Sequence, residues 1–124
     1  MILDTHIFIW LVNGDKLPGP ISDRILTASR LAISAISAWE IFMLEKHKKL
    51  TFNIASAAWL GRATALHNIE TINPGVSVFH RANRLDWQNL DPADRFIVAT
   101  ALETGLPLAT ADKTILNSGL VECV

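Results

Sequence analysis

The chain has 124 residues, 50% of them hydrophobic and 19% charged, and carries a formal net charge of −1. Its length predicts one domain, residues 1–124, burying roughly two-thirds of the surface its unfolded form exposes. The apolar mass excludes a disordered tail, and the longest apolar run, Ile7 to Val12, falls far short of the ~20 residues a membrane span needs.

No basic stretch leads into an apolar core as in a secretory leader, so none is expected. The lone cysteine, Cys123, excludes an internal disulfide framework and a thiolate zinc site, which fits a reducing cytoplasm. The small net charge provides no global attraction to nucleic acid or an anionic membrane. Any nucleic-acid partner must be met by local basic side chains or by a bound cation.

Met1-Ile2-Leu3 reads as a short buried strand, with Asp4 as N-cap of a helix from Thr5 to Val12. Asn13-Gly14-Asp15 and Pro18-Gly19-Pro20 mark a loop, and a helix from about Ser22 to Ser29 follows. Leu31 to Ser34 is a second apolar strand, leading into a helix from Ile36 to about Lys48. Asn53 is the expected N-cap of a helix from Ile54 to His67, in which Ala57, Leu60, Ala63 and Leu66 recur every third residue.

Ile69 to Ile72 is a third strand, closed by Asn73-Pro74-Gly75, and Val76 to Leu85 a short helix bearing His80, Arg81 and Arg84. Asp91-Pro92 opens a helix to Glu103 that Gly105 stops. Leu106 to Ala109 is a fourth strand, Asp112 to Asn117 a helical turn, and Leu120 to Val124 a last strand. Short apolar strands alternating with helices predict an α/β fold whose mostly parallel sheet is covered on both faces.

Function in such sheets gathers at the carboxyl ends of the strands, and four acids fall there. Asp4 ends the first strand, Glu40 follows the second, Asp94 lies in the first turn after Pro92, and Asp112 comes three residues after Ala109. Each has an ordinary explanation alone. Asp4 and Asp112 suit helix caps, Asp94 the third position of a capping box begun by Asp91, and Glu40 the positive end of a helix. The joint case is different: carboxylates converging on one edge repel each other, and such a cluster persists best if a cation neutralises it. Hard oxygen ligands suit Mg²⁺ or Mn²⁺, and the chemistry that needs such a site is phosphodiester hydrolysis.

The segments Ile2-Leu3-Asp4-Thr5-His6, Ser34 to Ile41, Asp91-Pro92-Ala93-Asp94-Arg95 with the apolar run after it, and Ala109-Thr110-Ala111-Asp112 occur in order along essentially the whole chain. That ordered set resembles the PIN-domain ribonucleases, and among them the VapC-type toxins of type II toxin–antitoxin pairs. The resemblance implies a three-layer α/β/α sandwich and a metal-dependent endoribonuclease using Mg²⁺ or Mn²⁺. On it, Asp4 and Asp94 are the direct metal ligands, Asp112 supports the metal, and Glu40 orients or deprotonates the water. Ser37, Thr110 and Arg95 match polar positions at the pocket. A cognate VapB-type antitoxin, a homodimer, and contact with DNA only through the antitoxin are implied as well. The Lys46-His47-Lys48-Lys49-Leu50 stretch departs from the glycine-containing ending commoner in that group.

Other constellations are weak. His6, His47, His67 and His80 are scattered, no glycine-rich phosphate loop occurs, and no serine sits in a nucleophile elbow. Lys46, Lys48 and Lys49 suit a helix C-terminus, leaving Arg81, Arg84 and Arg95 as expected phosphate contacts. Trp10, Trp39, Trp59 and Trp87 have the rings to stack on bases, although Trp10 and Trp39 sit in apolar runs that predict packing. The runs Ile7 to Val12 and Ile41 to Leu44 show no solvent face, which predicts helices buried all round or covered by a partner. Two other functions compete: a catalytically silent PIN-like module that binds RNA or protein, and a phosphatase with Asp4 as nucleophile. The phosphatase would need a second acid two residues on, where His6 stands.

Overall fold

The computed structural model describes residues 1–124. Four parallel strands form one sheet in the order β3-β2-β1-β4: β1 (Ile2–Leu3), β2 (Leu31–Ser34), β3 (Ile69–Ile72) and β4 (Leu108–Ala109). Ile2 pairs with Ala32 on one side and Leu108 on the other. Seven helices complete the chain: α1 (Thr5–Asn13), α2 (Gly19–Thr27), α3 (Ala35–Lys46), α4 (Ser56–Leu66), α5 (Val76–Arg84), α6 (Pro92–Thr104) and α7 (Lys113–Leu116).

Side-chain alternation along the strands divides the core into two layers. Leu3, Ile33 and Ala109 face a cluster with Ile7 and Phe8 of α1, Ile21 of α2, Ile41 of α3 and Ala63 of α4. Their neighbours Ile2, Ala32 and Leu108 face the opposite cluster, with Ile97, Val98 and Ala101 of α6 and Ile115 of α7. A lesser cluster of Val78, Ala82 and Ala99 locks α5 onto α6. Helices thus cover both faces, giving the three-layer α/β/α sandwich. No helix is long and apolar enough to cross a membrane.

The helix signals in the sequence act as expected at most ends. Asp4 Oδ1 accepts from Thr5 N at 2.8 Å, and Gly14 closes α1 in the left-handed region at φ 74°. Asp91 accepts from Ala93 N at 3.0 Å, Pro92 begins α6, and Gly105 ends it at φ 67°.

Boundaries differ where local cues compete. Helix α2 starts at Gly19 rather than Ser22 because Pro20 fits its first turn. Helix α3 ends at Lys46 because Lys48 turns left-handed at φ 58°. Helix α4 starts at Ser56 and Asn53 does not cap it; the preceding loop instead carries Phe52 onto Trp59, with ring centroids 4.6 Å apart. Strand β4 is shorter than expected, since Leu106 and Pro107 lie before it, although Pro107 O still accepts from Ile2 N. The expected last strand is a single parallel bridge between Leu108 and Cys123, held by bonds from Leu108 N to Glu122 O and from Val124 N to Leu108 O.

The two helices predicted to lack a solvent face diverge. Ile7, Phe8 and Ile9 of α1 are buried by the chain's own core. On α3, Ile41 is buried, whereas Phe42 is 37% and Trp39 55% exposed.

Candidate active site

The chain leaves β1 for β2 and β3 on one side, then returns to place β4 on the other side of β1. The carboxyl end of β1 beside β4 is therefore the switch point at which open α/β sheets bind ligands. Asp4 follows β1 directly, and Asp112 follows β4 by three residues. Glu40 comes from the second turn of α3 after β2, and Asp94 from the first turn of α6.

Small hydroxyls tie these acids together. Thr110 is buried; its Oγ1 donates to Asp4 Oδ2 at 2.7 Å and accepts from Asp112 N at 3.0 Å. Asp112 in turn caps α7, accepting from Thr114 N at 2.8 Å. Buried Thr5 gives its single hydroxyl proton to Glu40 Oε1. Its Oγ1 also lies 2.9 Å from Ser37 Oγ, and with that proton spent it can only accept there. Asp94 Oδ2 accepts from Asn89 Nδ2 at 2.8 Å.

Burial dominates the electrostatics. It raises the Asp4 carboxyl above its ordinary range, against the Thr110 and Thr5 hydrogen bonds, and the Asp112 charge adds to the rise. Burial raises Glu40 too, with the fields of Asp4, Asp94 and Asp91 acting the same way. Asp94 is pushed up to about 6, chiefly by burial and then by Asp91, Asp112 and Asp4. No lysine or arginine is among the charges acting on these three acids; His6 alone partly offsets Asp4. None of five surface clefts of about 280–390 Å³ is lined by any of the four acids. Asp4 is buried, and Glu40, Asp94 and Asp112 are half-buried along the strand edge.

The PIN domain family matches residues 1–117. The chain belongs to the PIN-domain family. It is 31% identical over 116 residues to Ribonuclease VapC22 of Mycobacterium tuberculosis, covering 93% of this chain and 88% of that protein. The fold is similar to VapBC2 from Rickettsia felis bound to a DNA fragment from their promoter (TM-score 0.71, 15% identity, 99% of this chain and 96% of that one). It is also similar to DNA-bound VapBC from Salmonella typhimurium, with TM-score 0.70, 20% identity, and 99% and 95% of the two chains covered.

In this PIN domain the donor set suits a hard divalent cation. All four donors are carboxylates, three are desolvated with only His6 offsetting one of them, and Asp94 Oδ1 receives no protein hydrogen bond. No three of them stand close enough to form a complete protein cage. Mg²⁺ needs none, since it binds through one or two carboxylates and completes its shell with water and phosphate oxygen.

Two expected pocket residues, Ser37 and Thr110, lie within this network. Arg95 does not. Its guanidinium donates to the carbonyls of Ala82, Leu85, Trp87 and Asn89 at 2.8–3.0 Å, so four of its five N–H groups are spent on backbone rather than phosphate. Arg81 is paired with Glu103, and Arg84 is exposed on α5. Sequence reasoning missed Thr5 as the Glu40 partner and Asn89 as the Asp94 partner. Thr5 had a legible signal, being the hydroxyl residue right after the first acid. Asn89 had none, sitting in a loop without periodicity.

Proposed function

We propose that this PIN-domain chain is a metal-dependent endoribonuclease that hydrolyses RNA phosphodiester bonds, the toxin of a type II pair held in check by a VapB-type antitoxin. The observation that carries this reading is the gathering of Asp4, Glu40 and Asp94, with Asp112 adjoining, at one strand edge where the charges of Asp4, Asp94 and Asp112 raise the proton affinity of neighbouring acids.

Asp4 and Asp94 would hold Mg²⁺ or Mn²⁺, with Asp112 in support. Such an ion supplies Lewis-acid charge that acidifies water and neutralises phosphate. Glu40, aimed by Thr5 and made more basic by burial, takes the proton of the attacking water. The water oxygen bonds to phosphorus as the ester bond opposite breaks, and the leaving oxygen is reprotonated from solvent. The amino ends of α1 and α6 carry Asp4 and Asp94, and their positive dipole ends favour the anionic phosphate.

The exposed Trp39 and Phe42 on α3 are suited to cover by a protein partner. On this reading the protein works in the cytoplasm as a homodimer and meets DNA only through its antitoxin. The test uses the purified chain on structured RNAs with Mg²⁺ or Mn²⁺. Cleavage is expected to stop on chelation with EDTA and in Asp4→Asn or Asp94→Asn. Cleavage surviving either change would sink the reading. RNA retention without cutting would indicate a binding module, and phosphate release from small esters a phosphatase.

A further inference from the structure

The segment between α5 and α6, residues 85–91, has almost no backbone hydrogen bonding of its own; the one internal bond runs from Trp87 N to Leu85 O. Its carbonyls are instead collected by Arg95. One planar guanidinium takes Leu85 O at 3.0 Å, Trp87 O at 2.9 Å and Asn89 O at 2.8 Å, and ties them to Ala82 O at the end of α5 at 2.9 Å. Arg95 directly follows Asp94 in α6, so the helix turn that carries the acid also grips the loop facing it.

What that loop presents to the acid is Asn89, pinned at three points. Its backbone oxygen is held by Arg95, its Oδ1 accepts from Asp91 N at 3.0 Å, and its Nδ2 donates to Asp94 Oδ2 at 2.8 Å. The amide has one workable orientation. Turned over, its oxygen would face a carboxylate and its NH₂ a backbone N–H. A carboxylate rotates about its last bond in a broad, two-fold well, so a fixed donor on Oδ2 decides which way Oδ1 points. Oδ1 receives no other protein donor.

We propose that Asn89, held by the Arg95-clamped loop, is a positioning residue that fixes the Asp94 carboxylate for the divalent cation. This rests on the metal-dependent reading above. Partners that orient a ligating carboxylate are worth about 10–100-fold in metal affinity.

The experiment is a Mn²⁺ titration of the full chain, followed by electron paramagnetic resonance of the free ion, with thermal melting run alongside. The variants are Asn89→Ala and Asn89→Ser. Serine keeps a short acceptor for Asp91 N, as such turns commonly do, but is too short to reach Asp94, so it isolates the lost amide donor. Both variants are expected to bind Mn²⁺ about 10–100-fold more weakly, with kcat on RNA reduced and KM little changed. Arg95→Lys is expected to weaken Mn²⁺ binding similarly while also melting earlier, because one ammonium cannot span four carbonyls.

A merely structural Asn89 would lower the melting temperature and leave the affinity of the folded chain intact, and that result in Asn89→Ser would overturn the proposal. A wild-type chain that takes up no Mn²⁺ would overturn the metal reading itself and this inference with it.

Discussion

Asp94→Asn is expected to inactivate the protein and, without metal, to stabilise it. Burial and neighbouring acids move the Asp94 carboxyl from its ordinary 3.8 to about 6. Taken in full, that rise corresponds to ~3 kcal/mol of penalty on the charged folded state. Asp94 is only half-buried, so solvent screening reduces the penalty to about 1–1.5 kcal/mol. The folded chain holds this proton more tightly than the unfolded one. It therefore binds more protons between pH about 4 and 6, and its stability falls as pH rises through that window. Above the window the full penalty remains; below it there is none.

Asparagine carries no charge at any of these pH values and keeps an oxygen for Asn89 to bond. In EDTA at pH 7 the variant should melt about 3–6 °C above the wild type, and the gap should close as pH falls below 4. Saturating Mn²⁺ should then reverse the order, because ligand at ~100 times its dissociation constant adds about 2.7 kcal/mol to the wild type alone. Melting curves followed by circular dichroism across pH, with and without Mn²⁺, measure all three. A variant that melts no higher than the wild type at pH 7, or a gap indifferent to pH, would refute the claim that these acids are held against their own repulsion.

Thr5→Val keeps the shape of a buried residue but removes the proton donor to Glu40 and the acceptor for Ser37. It should cost about 1–2 kcal/mol in urea unfolding and lower kcat about ten-fold by loosening the base. Paired Trp39→Ser and Phe42→Ser replaces two exposed rings on α3. The lone chain should then melt within about 2 °C of wild type, while capture of co-expressed antitoxin falls; a large loss of stability would place these rings in the chain's own packing.

Much of the fold was legible because it follows from local rules. β1 and β2 are apolar runs too short to be helices, and each hands directly to a helix, the first of them announced by Asp4 as its cap. The acids were legible for the same reason: an open parallel sheet turns sequence position after a strand into position at one edge. The edge of the sheet was harder to read, since Leu120 to Val124 has the composition of a strand but forms only one bridge beside the two-residue β4.

Arg95 was misjudged for a deeper reason. An arginine beside a candidate metal ligand has the chemistry of a phosphate clamp, and only coordinates reveal that a loop without secondary structure has already claimed four of its donors. Asn89 is invisible by the same logic, because its role depends on that clamp. The residues that supply charge can be read from their place after each strand. The residues that aim the charge act through side chain to backbone bonds across a loop, and these leave no period or spacing in the sequence. In this chain the two groups meet in adjacent residues, with Asp94 receiving the Asn89 amide and Arg95 holding it there.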